Sequence, residues 1–309
     1  MVPASGEQHV LSFTSSRGDY RAVIAQIGAS LRVLEFNDIE LVEPYDENQS
    51  KPLCAGAIMS PWVNRLDGGR WTYRGESLQN DINIVDQHNA NHGLLLDYPY
   101  MATAKTGSSV TLSAVIEPSQ GYPFLVDTSV TYALDDDGLT VTHRATNRSV
   151  EAAPYATGAH PYFKFSAVPT GELKVFSNAA TQIVTDGRQI PVSSRATAGT
   201  EFDFRNGIQV AQSCIDEDFT DLDRDANGNA HTYLTDDNGW GLDVWQDSTF
   251  AHVVIFTPSH FPSADGRAVH AAAIQPSTAA PNAFNSGDGL IWLEPGVPLE
   301  ARWGVRVNR

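Results

Sequence analysis

The chain has 309 residues, with 37 acidic and 20 basic side chains, a net charge of −17 and two cysteines. This acidic surplus disfavours binding to nucleic acid or to anionic membranes, because both are polyanions. Two cysteines are too few for a disulfide framework. No run approaches the roughly 20 apolar residues that a membrane-spanning helix needs, and the N-terminus lacks the basic and apolar regions of a secretory signal. We therefore expect a cytoplasmic globular protein.

Alternation of apolar and polar residues predicts most of the strands, because successive side chains of a β-strand point to opposite faces. The alternating segments are residues 110–116, 124–134, 139–145 and 299–307. A continuous apolar run at residues 253–256 predicts a strand that is buried on both faces.

Two turn signals predict antiparallel hairpins at residues 135–138 and 236–239, since Asp or Asn followed by Gly supplies the positive φ that a tight turn requires. No amphipathic helix longer than a turn or two is indicated. The sequence thus predicts an all-β protein, a large antiparallel β-sandwich in one domain over residues 1–309. Two long connections, residues 44–64 and 78–91, are expected to carry function.

The sequence also predicts that no metal or organic cofactor is used. Residues 223–228 match the first half of a calcium loop, but Leu234 stands where the twelfth position needs a bidentate Glu. An acidic turn explains this segment better. There is no Gly-rich phosphate loop and no Gly-x-Ser-x-Gly nucleophile motif.

Several polar residues stand in settings that are typical of binding loops. Asn64 and Arg65 follow Pro-Trp-Val, His92 precedes a glycine, and His160 lies between Gly158-Ala and Pro-Tyr-Phe. An imidazole can titrate near neutral pH and act as a general acid. Together with Asp216 and the aromatic residues, this set suits a polyhydroxylated neutral ligand.

Five motifs in this order resemble those of the aldose 1-epimerase (galactose mutarotase) family. Each one is weak alone, but together they cover most of the chain. They are Asn64-Arg65-Leu66, Asn91-His92-Gly93-Leu94, Gly158-Ala159-His160-Pro161-Tyr162-Phe163, the Asp216 segment 215–222, and Pro281-Asn282-Ala283-Phe284-Asn285 followed by Leu293-Glu294-Pro295-Gly296.

The resemblance implies a galactose mutarotase-like supersandwich that interconverts the α and β anomers of a free aldose without a cofactor. It implies that His160 protonates the ring oxygen. It further implies that Asn64, Arg65, His92 and Asp216 bind the sugar.

One position departs from the family pattern. The family's general base is a Glu in a Glu-Pro-x-Thr context, and the matching segment here is Gln275-Pro276-Ser277-Thr278. A carboxamide can hydrogen-bond a hydroxyl but is not a useful base near neutral pH. The sequence therefore leaves two functions open: an active epimerase, or a sugar-binding pseudoenzyme on the same fold.

Other assignments have weaker support. Glu294 is a possible substitute base, although its Leu-Glu-Pro-Gly setting is typical of a turn. A glycoside hydrolase would need a carboxylate pair, for which Asp216 and Glu294 are the nominees. The partner predicted is a monosaccharide, unphosphorylated because the net charge repels anions. Its identity and the oligomeric state stay open.

Overall fold

The computed structural model describes residues 3–308, so residues 1, 2 and 309 of the predicted domain lie outside the described part. Alternating burial along the strands, as in Ser109–Ile116 and Val126–Asp135, follows the polar–apolar pattern of the sequence. Four single-turn 3-10 helices, Pro52–Cys54, Thr170–Glu172, Phe204–Asn206 and Val210–Gln212, and the four-residue helix α1, Ala283–Ser286, are the only helical segments within residues 3–308. The strands are β1 (Gln8–Thr14), β2 (Asp19–Ala25), β3 (Ser30–Phe36), β4 (Ile39–Glu40), β5 (Ile58–Met59), β6 (Arg65–Asp67), β7 (Arg70–Tyr73), β8 (Glu76–Gln79), β9 (Asn89–Asn91), β10 (Met101–Lys105), β11 (Ser109–Ile116), β12 (Val126–Asp135), β13 (Gly138–Asn147), β14 (Ala153–Tyr155), β15 (Gly158–Ala159), β16 (Tyr162–Phe163), β17 (Lys174–Ser177), β18 (Ala179–Thr185), β19 (Pro191–Ala196), β20 (Ile208–Gln209), β21 (Asp216–Leu222), β22 (Ala230–Thr235), β23 (Gly241–Gln246), β24 (His252–Phe256), β25 (Phe261–Pro262), β26 (Ala268–Val269), β27 (Ala272–Ser277), β28 (Ile291–Leu293) and β29 (Pro298–Asn308).

Two large antiparallel sheets form the body of the protein. A nine-stranded sheet has the order β10-β11-β12-β13-β29-β23-β22-β17-β20. An eight-stranded sheet has the order β19-β18-β21-β24-β27-β15-β5, with β16 also paired to β27. A four-stranded sheet, β1 to β4, and four two-stranded ladders complete the fold. No helix between residues 3 and 308 is long and apolar enough to cross a membrane.

One hydrophobic core joins the two large sheets. Val253, Ile255 and Ile274 of the eight-stranded sheet belong to the same buried cluster as Val141 and Trp303 of the nine-stranded sheet. This face-to-face packing confirms the predicted antiparallel sandwich. Because strand residues alternate between faces, the eight-stranded sheet turns its other face away from this core.

The predicted strands and hairpins are confirmed, with small shifts at their ends. The predicted strand at 124–134 is observed as β12, and the continuous apolar run at 253–256 lies in the buried strand β24. Both hairpins form, between β12 and β13 and between β22 and β23. Both long connections differ from the prediction. Residues 44–64 contribute β5 to the edge of the eight-stranded sheet, and residues 78–91 begin within β8 and end in β9.

A buried hydrogen-bond chain joins the nine-stranded sheet to Thr157, which directly precedes β15 of the eight-stranded sheet. The indole nitrogen of Trp303 donates to Nε2 of His143 at 3.0 Å, and Nδ1 of His143 lies 2.8 Å from the hydroxyl of Thr157. Nε2 is therefore the acceptor and Nδ1 carries the proton of the neutral ring. Burial lowers the pKa of His143 to about 3, so the imidazole stays neutral at pH 7.

We predict that Trp303→Phe lowers the free energy of unfolding at pH 7 by about 2–4 kcal/mol, because it leaves a buried acceptor unpaired and creates a cavity. Urea unfolding followed by far-UV circular dichroism measures this loss. Trp292→Phe is the control, since Trp292 is half exposed. Equal effects of the two substitutions would show that the buried chain adds nothing to stability.

Candidate functional site

The second face of the eight-stranded sheet carries a group of polar residues. Asp216 begins β21 and pairs with Phe256 of β24, and Val254 pairs with Gln275 of β27. On the far side of β27, Ala273 pairs with Tyr162 and Ser277 with Gly158. His160, midway between those two partners, therefore lies level with Gln275, and the register brings these predicted residues onto one surface.

The polar face of the eight-stranded sheet forms one wall of the site, and the short ladder between β6 and β9 forms the second wall. In this ladder Arg65 pairs with Asn91, which places Asn64 beside His92. The backbone N–H of Asn64 donates to Nδ1 of His92 at 3.2 Å, and the N–H of His92 donates back to the carbonyl of Asn64 at 3.0 Å. Since Nδ1 accepts, the neutral ring of His92 carries its proton on Nε2, as a donor.

Two glycines of the sequence motifs allow backbone segments to approach closely. Gly93 has a φ of +81°, and a Cβ there would lie 2.0 Å from the carbonyl oxygen of Ser60. A Cβ on Gly158 would lie 2.8 Å from the carbonyl oxygen of Pro276. Glycine is required at both positions for steric reasons. Close packing of the backbone beside His92 and His160 therefore explains the glycines of these two motifs.

His160 is held firmly by its backbone. Its N–H donates to the carbonyl of Ala57, and its carbonyl accepts from the N–H of Gly56. The imidazole packs against His92, with ring centroids 5.3 Å apart, and against Tyr162 at 5.1 Å. Its Nδ1 is buried and has no hydrogen-bond partner among residues 3–308.

Burial determines the charge of both histidines. Desolvation, with a smaller contribution from the Arg65 guanidinium, lowers the pKa of His160 to about 4. Desolvation also lowers the pKa of His92 well below its usual value, and His160 and Arg65 add to this effect. Both rings are therefore neutral at pH 7.

The guanidinium of Arg65 connects the two walls. Its Nη2 lies 3.4 Å from Oδ2 of Asp216, and its Nη1 donates to Oδ1 of Asn64 at 2.9 Å. Its Nε donates to Oε1 of Gln87 at 3.2 Å. Arg65 and Asp216 are mostly buried but keep an exposed part, so both can bind hydroxyl groups of a ligand.

Gln275 is 3 % exposed, and no side chain or backbone group in the described part of the chain hydrogen-bonds its carboxamide. Gln275 is thus a group that a polar ligand can satisfy.

A buried ion pair lies next to Gln275 on the same face. His252 pairs with Ser277, two residues along β27, and its Nδ1 lies 2.9 Å from Oδ2 of Asp218. Although burial opposes a charge on His252, Asp218 and Asp288 raise its pKa to about 10. The imidazolium has no free nitrogen lone pair, so it is not a base.

The structure brings together all six predicted site residues, and it places the weaker candidates elsewhere. Glu294 is exposed in a turn, where its carbonyl accepts from Val297, and makes no polar contact with the described site residues. The 223–228 segment is also a turn, in which Asp225 accepts from the backbone of Asn227 and Asn229. No group of three or more His, Cys, Asp or Glu within residues 3–308 is arranged to hold a metal ion.

A cavity of about 810 Å³ lies apart from these residues. Several of its charged groups pair within its lining, since Lys164 contacts both Glu40 and Glu43 and Arg267 contacts Asp265. It contains none of the six predicted site residues.

Sequence reasoning missed Gln87 and the Asp218–His252 pair. Gln87 lies in the connection at 78–91, which was expected to carry function, but nothing in the sequence indicated that this residue contacts Arg65. The Asp218–His252 contact joins residues 34 positions apart, and only the strand register reveals it.

Comparisons with known proteins agree with this arrangement. A family model described as aldose 1-epimerase matches residues 11–305. The uncharacterized protein YihR of Escherichia coli is 30% identical over 286 residues, which cover 91% of this chain and 88% of that protein. The E. coli aldose 1-epimerase is 26% identical over 209 residues, covering 63% and 57% respectively. The solved structure of the GalM/aldose epimerase homologue from C. elegans has a TM-score of 0.84 at 19% identity, covering 98% of this chain and all of that one, a likeness of fold.

We predict that NMR will find the imidazole of His160 neutral at pH 7 and titrating near pH 4, because burial disfavours its charge. His231, whose hydrogen bond to Asp243 raises its pKa, is the internal control and should titrate above 6.5. A depressed pKa in the folded state makes the unfolded state bind more protons. Unfolding free energy should therefore fall as pH drops from about 6.5 towards 4. A His160 that titrates above 6.5 would contradict this.

Proposed function

The chain belongs to the aldose 1-epimerase family, and on that premise we propose that it binds a free aldose and interconverts its α and β anomers. The observation that carries the proposal is the convergence of Arg65, His92, His160 and Asp216 on one polar face. These groups can donate to and accept from a polyhydroxylated ligand that has no net charge.

The reaction requires two proton transfers. The C1 hydroxyl loses a proton, the ring oxygen gains one, and the C1–O5 bond breaks to give the open-chain aldehyde. Rotation about C1–C2 followed by closure on the opposite face gives the other anomer. We assign the proton on the ring oxygen to His160, and the binding of the hydroxyls to Asn64, Arg65, His92 and Asp216.

Gln275 makes this chemistry slow in two ways. A carboxamide cannot take the C1 proton, and general base catalysis is worth about 10²–10⁴-fold. It also brings no negative charge towards His160, whereas a carboxylate would raise the pKa of that imidazole and favour its acidic form. The C1 proton must then pass, directly or through a water, to the neutral ring of His160, and the imidazolium that forms gives a proton to the ring oxygen. A residual rate remains because such contributions are not additive.

The same observation favours a second candidate function, a sugar-binding pseudoenzyme. A glutamine keeps the shape and the hydrogen-bonding capacity of a glutamate but loses its basicity. This candidate requires saturable sugar binding by calorimetry without acceleration of anomer exchange.

We predict that the protein accelerates anomer exchange of at least one aldose in a panel, measured by saturation-transfer NMR, and that His160→Gln reduces this rate by about 10²-fold or more. Sugar binding with no exchange would favour the pseudoenzyme. Neither binding nor exchange for any aldose would refute both functions.

We predict that Gln275→Glu raises the exchange rate by at least about tenfold, since it supplies the missing base. It should also move the NMR titration of His160 upwards from about pH 4, because the added carboxylate favours the imidazolium. Gln49→Glu adds the same charge at an exposed position and is the control. If rate and titration both match the control, Gln275 does not occupy the base position.

A further inference from the structure

Arg188 lies on a tight turn outside the five sequence motifs. The turn joins β18 to β19, and Oδ1 of Asp186 accepts from the backbone N–H groups of Arg188 at 2.8 Å and Ile190 at 3.0 Å. Because β18 pairs with β21 in the eight-stranded sheet, with Ile183 opposite Asp218, the turn lies beyond the end of β21 where Asp216 stands. Arg188 is thus fixed beside one wall of the site.

The side chain of Arg188 reaches across to the other wall. Its Nε donates to the carbonyl of Gln87 at 2.9 Å, and its Nη2 donates to the carbonyl of His88 at 3.2 Å and to Oδ1 of Asn89 at 2.9 Å. Asn89 donates back to the carbonyl of Arg188 at 2.8 Å. Nη2 also pairs with Asp67 at 2.8 Å.

Gln87 relays this anchoring to the site. Its backbone carbonyl is held by Arg188, while its side-chain Oε1 accepts from Nε of Arg65 at 3.2 Å. Arg65 in turn contacts Asp216. One continuous set of polar contacts therefore runs from the β18–β19 turn, through Gln87, to the guanidinium that joins the two walls.

We propose that Arg188 is a positioning residue, which holds the segment of residues 87–89 so that Gln87 orients Arg65 towards the bound sugar. This inference rests on the proposed function. Exposed ion pairs contribute little, so the pair with Asp67 alone would not matter. The directed bonds to two carbonyls and an amide are what a planar guanidinium can supply at once and a lysine cannot.

Arg188→Ala is predicted to raise both the sugar Kd and KM by about tenfold, the scale of one charge-assisted hydrogen bond. kcat should change far less, because His160 and Gln275 have no contact with Arg188 among the described residues. Arg195→Ala is the matched control: Arg195 lies on the same hairpin, is similarly exposed, and pairs with Glu201 and Gln182 instead. Calorimetry with anomer-exchange kinetics gives the three constants.

A double-mutant cycle separates positioning from general stabilisation. Gln87→Ala should reproduce the rise in Kd. The Kd of the double variant should not exceed the higher of the two single-variant Kd values, because both substitutions interrupt the same set of contacts. Arg188→Lys should restore part of the affinity. Melting temperatures identify any variant that fails to fold, and Gln87→Ala then tests the relay without altering Arg188.

The outcomes distinguish the inference from the proposed function. A wild type that binds or interconverts a sugar, with Arg188→Ala equal to Arg195→Ala, overturns the inference alone. Additive effects of Gln87→Ala and Arg188→Ala likewise overturn it. A wild type that neither binds nor interconverts any aldose refutes the proposed function, and the role assigned to Arg188 with it.

Discussion

The whole arrangement depends on a sheet that is covered on both faces. Along β27, Ile274 packs into the core between the sheets, while its neighbour Gln275 points to the opposite face, and both are at most 3 % exposed. Polar groups on such a face must find partners or lose about 1–3 kcal/mol each. The hydroxyl of Ser277 and Nδ1 of His160 have none among residues 3–308. The core of the sandwich therefore supports a face whose polar groups are only partly satisfied by the described residues.

The fold was largely predictable because its signals are local. Alternation at residues 110–116 and 139–145 depends only on neighbouring side chains, and burial in β11 and β13 follows it residue by residue. The motif residues were also predictable, since the steric demands on Gly93 and Gly158 come from segments that pass close to the histidines. Each of these steric demands requires a glycine, which is visible in the sequence.

The contacts that join Arg188, Gln87 and Arg65 were not predictable, because they connect distant segments without any local pattern. The Arg188–Gln87 bond connects residues 101 positions apart, and each of them resembles an ordinary polar turn residue in the sequence. The short strand β5 was missed for a similar reason. Two residues carry no usable periodicity, and β5 is a strand only because β15 lies beside it.

The charges of the predicted site residues largely compensate one another. Arg65 and Asp216 offset each other's charge, His92 is neutral, and the imidazolium of His252 is paired with Asp218. The polar face therefore presents fixed dipoles and a compensated ion pair, which suits an uncharged polyol. Under the proposed function, a glutamine at the position of the base leaves these ground-state contacts intact and removes an interaction that grows only as the C1 proton departs. Such a change lowers kcat and spares affinity, so measured affinity alone cannot distinguish the epimerase from the pseudoenzyme, whereas the rate constant for ring opening can.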